Sequence, residues 1–219
     1  MLKRLFIFFL FFIAQESYSQ VQYPKVVLET TAGNLILRLY SETPLHSNNF
    51  IKLVNEGFYD GQLFHRVINH FMIQAGDPES KSAKSGQIIG SGGPGYTIPS
   101  EINPKYYHKR GALAAARLPD NINPNRESSG SQFYIVQGKT FTQVQLESML
   151  KTGKHLPFTS EQINTYISIG GSPHLDNEYT VFGELIQGFE VLDTIASLPV
   201  DSNSRPINDI RILKAYTIK

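Results

Sequence analysis

Apolar and polar positions alternate at the start of the chain's first globular segment. Every second residue of the stretch Asn34–Tyr40 (NLILRLY) from position 35 to 39 is leucine, a period of two that is typical of a strand with one buried face. The β-branched stretch Lys25–Thr30 precedes it across the turn Thr31-Ala32-Gly33. The pattern therefore predicts an antiparallel hairpin at this point.

Two segments have helical patterns. Thr43 is an expected N-cap with Pro44 at the first helical position, and Gly57 is expected to end that helix. The apolar spacing of Phe189–Ala196 predicts a second helix.

Several further segments are expected to be strands and are separated by loops rich in glycine and proline. They are Phe64–Gln74, Gly111–Ala116, Gln132–Val136, Tyr179–Leu185 and Ile210–Ile218. Many strands with two flanking helices predict a mainly-β domain, a closed barrel or a sandwich, rather than a βαβ fold.

The segment Thr140–Ser172 has a different texture. Thr142 with Gln145 matches a capping box, and Thr159 with Gln162 matches a second one. The segment is interpreted as two short helices inserted at about 140–172 into a single domain.

The N-terminal residues have the layout of a secretory signal peptide. Lys3 and Arg4 precede the apolar run Leu5–Ala14, and Ser17-Tyr18-Ser19 provides small residues for cleavage after Ser19. A membrane anchor is the alternative, but ten apolar residues rise only ~15 Å as a helix, about half of a bilayer core. We expect residues 1–19 to be removed and the domain 20–219 to be exported, to a periplasm or alternatively to the medium.

Composition excludes several classes of function. The chain has 219 residues and no cysteine, which excludes disulfides, thiolate zinc sites, iron–sulfur clusters and a catalytic thiol. Its formal charge of +1 gives no basic surplus, so no nucleic-acid partner is expected. We expect a monomer that does not associate with membranes once the signal peptide is cleaved.

Simple catalytic motifs are not found. Gly90–Gly95 is followed by Tyr96-Thr97 rather than by Gly-Lys-Ser/Thr, so a tight surface loop is favoured over a phosphate cradle. His65 and His70, five apart on a predicted strand, would lie on opposite faces and could not share a metal. A Gly-x-Ser-x-Gly motif is absent from the sequence. No metal or cofactor is expected.

Two stretches combine amides with large aromatic side chains. Phe64–Asp77 places Arg66 and Gln74 near Phe71 and Met72, and Ser129–Ile135 repeats an amide beside aromatics. The first stretch alone is compatible with a half-buried strand carrying a solvated arginine. Their combination indicates a site.

These stretches resemble the FHRVI–FM–Q–GD and GSQFF signatures of the cyclophilins, which are peptidyl-prolyl isomerases. Gly111–Arg117 resembles the strand that lines their groove, and His174–Gly183 resembles their LDG–H–VFG segment. The resemblance extends from about Lys25 to Lys219 without the insert. It implies an eight-stranded antiparallel β-barrel capped by two helices, which isomerises X–Pro bonds in proline-containing polypeptides and, for an exported chain, assists their folding.

The resemblance also implies residue roles. Arg66 is the expected catalytic arginine, with Gln74 and Phe71 in the same catalytic set. The expected substrate-binding residues, the backbone of Arg117 among them, are Met72, Ala116, Arg117, Gln132, Tyr134, His174, Leu175 and Tyr179. Three of these depart from the family pattern, because Tyr134 replaces a phenylalanine, His174 a tryptophan of many eukaryotic members, and Tyr179 a histidine.

Two questions have alternative answers. A proline-peptide binding module or chaperone with little turnover is the alternative to an isomerase, and the intact Arg66, Phe71 and Gln74 favour the enzyme. The insert is either a decoration that covers a barrel edge or one wall of an extended groove that selects clients.

Overall fold

A computed structural model of the protein describes residues 24–153 and 157–218. The predicted signal peptide, residues 1–19, lies outside the described residues. The strands in chain order are β1 (Lys25–Thr30), β2 (Gly33–Leu39), β3 (Arg66–Ile68), β4 (Met72–Ala75), β5 (Thr97–Ile98), β6 (Ala112–Ala115), β7 (Ser128–Ser129), β8 (Phe133–Val136), β9 (Val181–Gln187) and β10 (Ile212–Ile218). The α-helices are α1 (Pro44–Asn55), α2 (Gln143–Leu150), α3 (Ser160–Ser168) and α4 (Phe189–Ala196).

The sheet has eight antiparallel strands in the order β10-β1-β2-β9-β6-β8-β4-β3, and β5 pairs with β7 separately. The segments that precede the two end strands meet, because Leu63 forms a bridge with Arg211 and the Phe64 N–H donates to the Ile210 carbonyl at 2.9 Å. The predicted mainly-β, eight-stranded architecture with flanking helices is confirmed.

The period of two in β2 is confirmed by burial. Leu35, Leu37 and Leu39 are fully buried, whereas Ile36 and Arg38 between them are partly exposed. The leucines join a core that includes side chains of α1 and α4. Removing such side chains from water is the main stabilising contribution to a fold of this kind.

The predicted single strand Phe64–Gln74 is wrong. The segment is a hairpin in which β3 and β4 are joined by a turn at residues 69–71, where His70 has a φ of +59°. The Asn69 side chain accepts a hydrogen bond from the His70 N–H at 3.0 Å, which favours this turn locally. The hairpin places Arg66 directly opposite Gln74.

Helix α1 begins at Pro44 as predicted, but the expected Thr43 side-chain cap does not form. The carboxylate of Glu101 instead accepts hydrogen bonds from the Leu45 N–H at 3.0 Å and the His46 N–H at 2.9 Å. A helix N-terminus exposes unsatisfied N–H groups, and a carboxylate there also interacts favourably with the helix dipole. The cap is therefore supplied by a residue from a distant loop.

Both capping boxes of the insert are confirmed. Thr142 and Gln145 bind each other's backbone N–H groups at the start of α2, and Thr159 and Gln162 do the same at the start of α3. Satisfying these N–H groups helps two helices that are too short to be stable alone.

The insert is anchored to the barrel at its base. The Gly171 N–H donates to the Lys139 carbonyl at 3.0 Å, and the Lys139 N–H donates in return to Gly171 at 3.2 Å. A Cβ atom at Gly171 would lie 2.3 Å from the His108 carbonyl oxygen, so only glycine permits this approach. Tyr166 of α3 is fully buried.

The described helices include none with the length and apolarity needed to cross a membrane.

The cap of α1 gives a stability prediction. We expect Glu101→Ala to lower the free energy of unfolding by about 1–2 kcal/mol, because two helix N–H groups lose their acceptor and the buried His46 Nδ1 loses its 2.7 Å contact with the same carboxylate. We expect a smaller loss for Thr43→Val, because the Thr43 hydroxyl donates only a long 3.4 Å bond to the Tyr40 carbonyl. Urea denaturation measures both, and an equal or larger loss for Thr43→Val would contradict this assignment of the cap.

Candidate active site

A cavity of about 240 Å³ opens beside the β3–β4 hairpin. Its lining consists of residues that the sequence predicted to share one site. They are Arg66, Phe71, Met72, Gln74, Ala116, Arg117, Tyr134, Leu175 and Tyr179.

The polar wall of the cavity is a chain of side-chain hydrogen bonds. Arg66 Nη1 donates to Gln74 Oε1 at 3.2 Å, and Gln74 Nε2 donates to Gln132 Oε1 at 3.0 Å. Each amide uses its oxygen toward one neighbour and its nitrogen toward the other, so the orientation of both amides is fixed. The chain holds the guanidinium at the edge of the cavity.

Gln132 is itself fixed by the glycine-rich loop. Its Nε2 donates to the carbonyl oxygens of Gly90 at 2.9 Å and Gly92 at 2.8 Å. The fully buried Asp77 accepts hydrogen bonds from the N–H groups of the same two glycines. A Cβ atom at Gly92 would lie 2.2 Å from Asp77 Oδ1, which explains why this loop contains glycine. The loop expected to be a tight surface loop is thus tied into the site.

A wider cavity of about 740 Å³ adjoins the first one. The two share Gln74, Ala116 and Arg117 in their linings, and Gln132 lies in the second. The two cavities therefore adjoin each other along these shared residues.

The opposite wall is aromatic. The rings of Tyr134 and Tyr179 meet edge to face at 5.9 Å between centroids. The Arg117 guanidinium lies 4.7 Å from the centroid of Tyr179, and its Nε donates to the Glu178 carbonyl at 2.8 Å. These contacts hold the side chain of Arg117 against the aromatic wall of the cavity.

His174 was predicted to bind substrate, but the structure places it outside the lining of the two cavities. It is not among the described residues that line either cavity. Its ring lies 5.3 Å from the ring of Phe71, so it contacts a cavity residue from outside the lining.

The electrostatics of Arg66 differ from those of its neighbours. Its hydrogen bonds reach neutral groups, Gln74 Oε1 and the Met72 sulfur at 4.0 Å. In the described ranges 24–153 and 157–218, no carboxylate lies within salt-bridge distance of it, whereas Arg117 pairs with Asp120 and Glu178. The cavity therefore has an unneutralised cation at its edge.

The described ranges 24–153 and 157–218 contain no group of three His, Asp or Glu side chains arranged to hold a metal ion.

Three residues behind the cavity were missed by sequence analysis. The Tyr134 hydroxyl lies 2.9 Å from His108 Nε2, His108 Nδ1 lies 3.1 Å from Asp176 Oδ1, and the Tyr166 hydroxyl donates to Asp176 Oδ2 at 2.6 Å. Burial raises the pKa of Tyr134 well above its usual value. The one signal in the sequence was Tyr134 itself, because a buried phenol requires a hydrogen-bond partner that a phenylalanine does not.

His65 is buried beside the catalytic candidate Arg66. Desolvation lowers the pKa of its imidazole from 6.5 to about 4. A Cβ atom at Gly90 would lie 3.3 Å from its ring, so His65 packs against the glycine-rich loop.

The family model for cyclophilin type peptidyl-prolyl cis-trans isomerase/CLD matches residues 25–217. A Staphylococcus epidermidis protein named as a peptidyl-prolyl cis-trans isomerase is 35% identical over 189 residues, which cover 86% of this chain and 88% of that protein. A Streptococcus pyogenes protein named as a bifunctional phosphatase/peptidyl-prolyl cis-trans isomerase is 36% identical over 192 residues, and this chain covers 37% of its length.

Solved structures give the same comparison. A crystal structure of a Cryptosporidium parvum cyclophilin type peptidyl-prolyl cis-trans isomerase has a TM-score of 0.67 and 29% identity, and the match covers 90% of this chain and 99% of that one. A second structure of that protein, in the presence of the dipeptide Ala-Pro, has a TM-score of 0.65 and 28% identity, with 89% and 99% coverage.

The depressed pKa of His65 predicts a pH dependence of stability. Between pH 7 and pH 4 the unfolded chain takes up a proton near pH 6.5, which the folded protein does not bind until about pH 4. Acidification therefore favours the unfolded state, by about 3 kcal/mol over this window. We expect His65→Phe to remove this part of the pH dependence of the free energy of unfolding, measured by urea denaturation at several pH values.

The matched control for that measurement is His70→Asn. His70 is exposed in the hairpin turn, and asparagine tolerates its positive φ. We expect the control to keep the pH dependence of the parent protein. A parental dependence in His65→Phe would contradict the burial argument.

Proposed function

The chain belongs to the cyclophilin family of peptidyl-prolyl cis-trans isomerases, and from that premise we propose that Arg66 catalyses the isomerisation of X–Pro bonds in exported proteins. The observation that carries the proposal is the Arg66 guanidinium, which no carboxylate of the described residues neutralises, at the edge of a cavity that is also lined by aromatic and aliphatic side chains. Substrates of this class are proline-containing polypeptides in an extended conformation.

The reaction requires the loss of amide resonance. An X–Pro bond isomerises over tens to hundreds of seconds, across a barrier of ~20 kcal/mol. As the bond twists, the proline nitrogen becomes pyramidal and gains a localised lone pair. A donor placed near that nitrogen binds the twisted state and not the planar ground state, which lowers the barrier.

Arg66 is suited to be that donor. A guanidinium has five N–H groups, more than its contacts with Gln74 and Met72 use. A turnover of about 10 per second corresponds to a barrier near 16 kcal/mol, so catalysis must supply about 4 kcal/mol. One or two charge-assisted hydrogen bonds contribute ~1.5–3 kcal/mol each. No nucleophile is needed.

The remaining lining residues would bind the substrate. Phe71, Met72, Tyr134 and Leu175 form an apolar pocket for the proline ring, which is consistent with the Ala-Pro dipeptide used with the Cryptosporidium parvum protein. Exclusion of water from this pocket strengthens the hydrogen bonds of Arg66. Gln74 positions Arg66 and offers its amide to the substrate backbone.

The exported role is supported by the N-terminal sequence. The charged start, the apolar run Leu5–Ala14 and the small residues before Gln20 favour a cleaved secretory signal. A chain without cysteine also avoids free thiols in an oxidising compartment. Proteins that fold after export pass through the same slow X–Pro step, so an isomerase in that compartment would assist their folding.

Substitution of Arg66 tests the catalytic proposal. We expect Arg66→Ala to lower kcat/KM by about tenfold or more, because the twisted state loses its donor. We expect Arg66→Lys to be nearly as damaging, because an ammonium lacks the planar fork. NMR exchange spectroscopy on a tetrapeptide with one X–Pro bond measures the rate.

The matched control is Arg126→Ala, which removes a surface arginine that pairs with Asp120 and Glu178. We expect parental activity from it. Parental activity in a folded Arg66→Ala variant would overturn the catalytic role.

Export is tested by fractionation. When the full chain is produced in a bacterial host with two membranes, we expect the periplasmic fraction to contain a protein that begins at Gln20. N-terminal sequencing and intact mass identify the cleavage site, and deletion of residues 2–19 is the control that stays in the cytoplasm. An uncleaved, cytoplasmic full-length chain would contradict the exported role.

A further inference from the structure

A buried hydrogen-bond network connects the proline pocket with the inserted helix α3. Tyr134, His108, Asp176 and Tyr166 have exposed fractions of 5%, 0%, 6% and 0%. Their polar atoms form a continuous series of contacts of 2.9, 3.1 and 2.6 Å. Because buried polar groups are costly unless paired, each member of the series depends on the next one.

The network determines which nitrogen of His108 carries the hydrogen. Asp176 Oδ1 accepts from the His108 backbone N–H at 2.8 Å and faces Nδ1 of the same residue. A carboxylate only accepts hydrogen bonds, so Nδ1 is the donor. In the neutral imidazole Nε2 is then an acceptor, and the Tyr134 hydroxyl must donate to it.

The orientation of that hydroxyl matters to the pocket. Tyr134 lies on β8 opposite Gln74 of β4 and Ala114 of β6, and its ring lines the cavity. With its hydrogen directed to His108, the phenol offers the cavity its ring and no O–H donor. A proline ring has no group to accept such a donor, so a hydroxyl turned inward would retain water or remain unpaired.

We propose that His108 is a positioning residue for the proline pocket, and that it holds the Tyr134 phenol in its substrate-ready orientation by accepting the hydroxyl hydrogen. Asp176 fixes the tautomer of His108 and also directly follows the pocket residue Leu175. This inference rests on the proposed function, because it concerns the same pocket.

The insert supports this network through Tyr166. The Tyr166 hydroxyl satisfies the second oxygen of Asp176, and its ring is surrounded by Tyr107, Phe141 and Phe158 at 5.7, 6.4 and 5.8 Å. Helix α3 is therefore a structural support of the proline pocket, a role that neither a decoration nor a client-selecting wall would have.

A pair of substitutions at His108 tests the proposal. Glutamine places its amide near the position of Nε2, where its oxygen can accept from Tyr134, whereas asparagine reaches only the position of Nδ1. We expect His108→Asn to raise KM for a tetrapeptide about three- to tenfold, with little change in kcat, and His108→Gln to stay within about twofold of the parent.

The decisive measurement repeats the pair in a Tyr134→Phe background. Without the hydroxyl, we expect the difference in KM between the asparagine and glutamine variants to disappear. Equal KM values for the two variants with Tyr134 present, or a difference that persists with phenylalanine, would overturn the proposal. A purely structural His108 would not respond to the loss of one oxygen atom in this way.

Two further measurements keep the proposal testable if a variant fails to fold. Long-range ¹H–¹⁵N NMR spectra of the parent protein identify the tautomer of His108; we expect the hydrogen on Nδ1, and a hydrogen on Nε2 would overturn the proposal. We also expect Tyr166→Phe to raise KM about two- to threefold.

Tyr107→Phe is the matched control for the insert, because the Tyr107 hydroxyl contacts only Thr165 and Glu161 of α3 in the described contacts. We expect its KM to equal that of the parent, and equal effects of the two tyrosine substitutions would overturn the role of Tyr166. If Arg66→Ala retains full activity, the proposed catalytic site fails. If Arg66 is essential but the His108 pair does not differ, only the present inference fails.

Discussion

A guanidinium at the edge of the cavity that receives the substrate's proline must be held in place without being neutralised. The β3–β4 hairpin meets this constraint by pairing Arg66 with Gln74, so that a neutral amide oxygen, rather than a carboxylate, accepts from the arginine. A carboxylate at that position would satisfy the cation and weaken its attraction to a substrate lone pair. The orientation of Gln74 depends in turn on a series of hydrogen bonds. Asp77 accepts from the Gly90 N–H of the glycine-rich loop, the Gly90 carbonyl accepts from Gln132, and Gln132 accepts from Gln74.

Local patterns predicted the parts of the fold that local interactions determine. The alternation of leucines predicted β2, and the two capping boxes predicted α2 and α3. In each case the residues that form the pattern belong to the element that they predict or lie within a few residues of it. The cap of α1 was missed because its acceptor, Glu101, is more than fifty residues from the helix start. The break between β3 and β4 was missed although Asn69 is a common turn residue, because the His70 N–H in this turn also donates to Gln137 Oε1 at 2.6 Å, a partner far along the chain.

The candidate site shows the same division. The lining residues were identified by resemblance to known signatures, and the cavity brings nearly all of them together. His108, Asp176 and Tyr166 belong to three separate segments, and no spacing in the sequence relates them. Asp77 was visible in the motif but its role was not, since its partners are backbone N–H groups of a loop whose course the sequence does not reveal.

The sheet order has a consequence for the timing of biosynthesis. Strand β1 pairs with β10 and strand β2 with β9. Lys25 therefore pairs with Ile218, although the two residues lie near opposite ends of the sequence. Pairings between strands so far apart in sequence form slowly, because the chain loses the entropy of closing a long loop before the stabilising contacts form. While the ribosome is still producing the chain, the first hairpin lacks the neighbours on both of its edges. A nascent polypeptide of this topology lacks these pairings until its last strand emerges, a delay that would suit the proposed export, because a translocation channel for unfolded chains requires unfolded cargo.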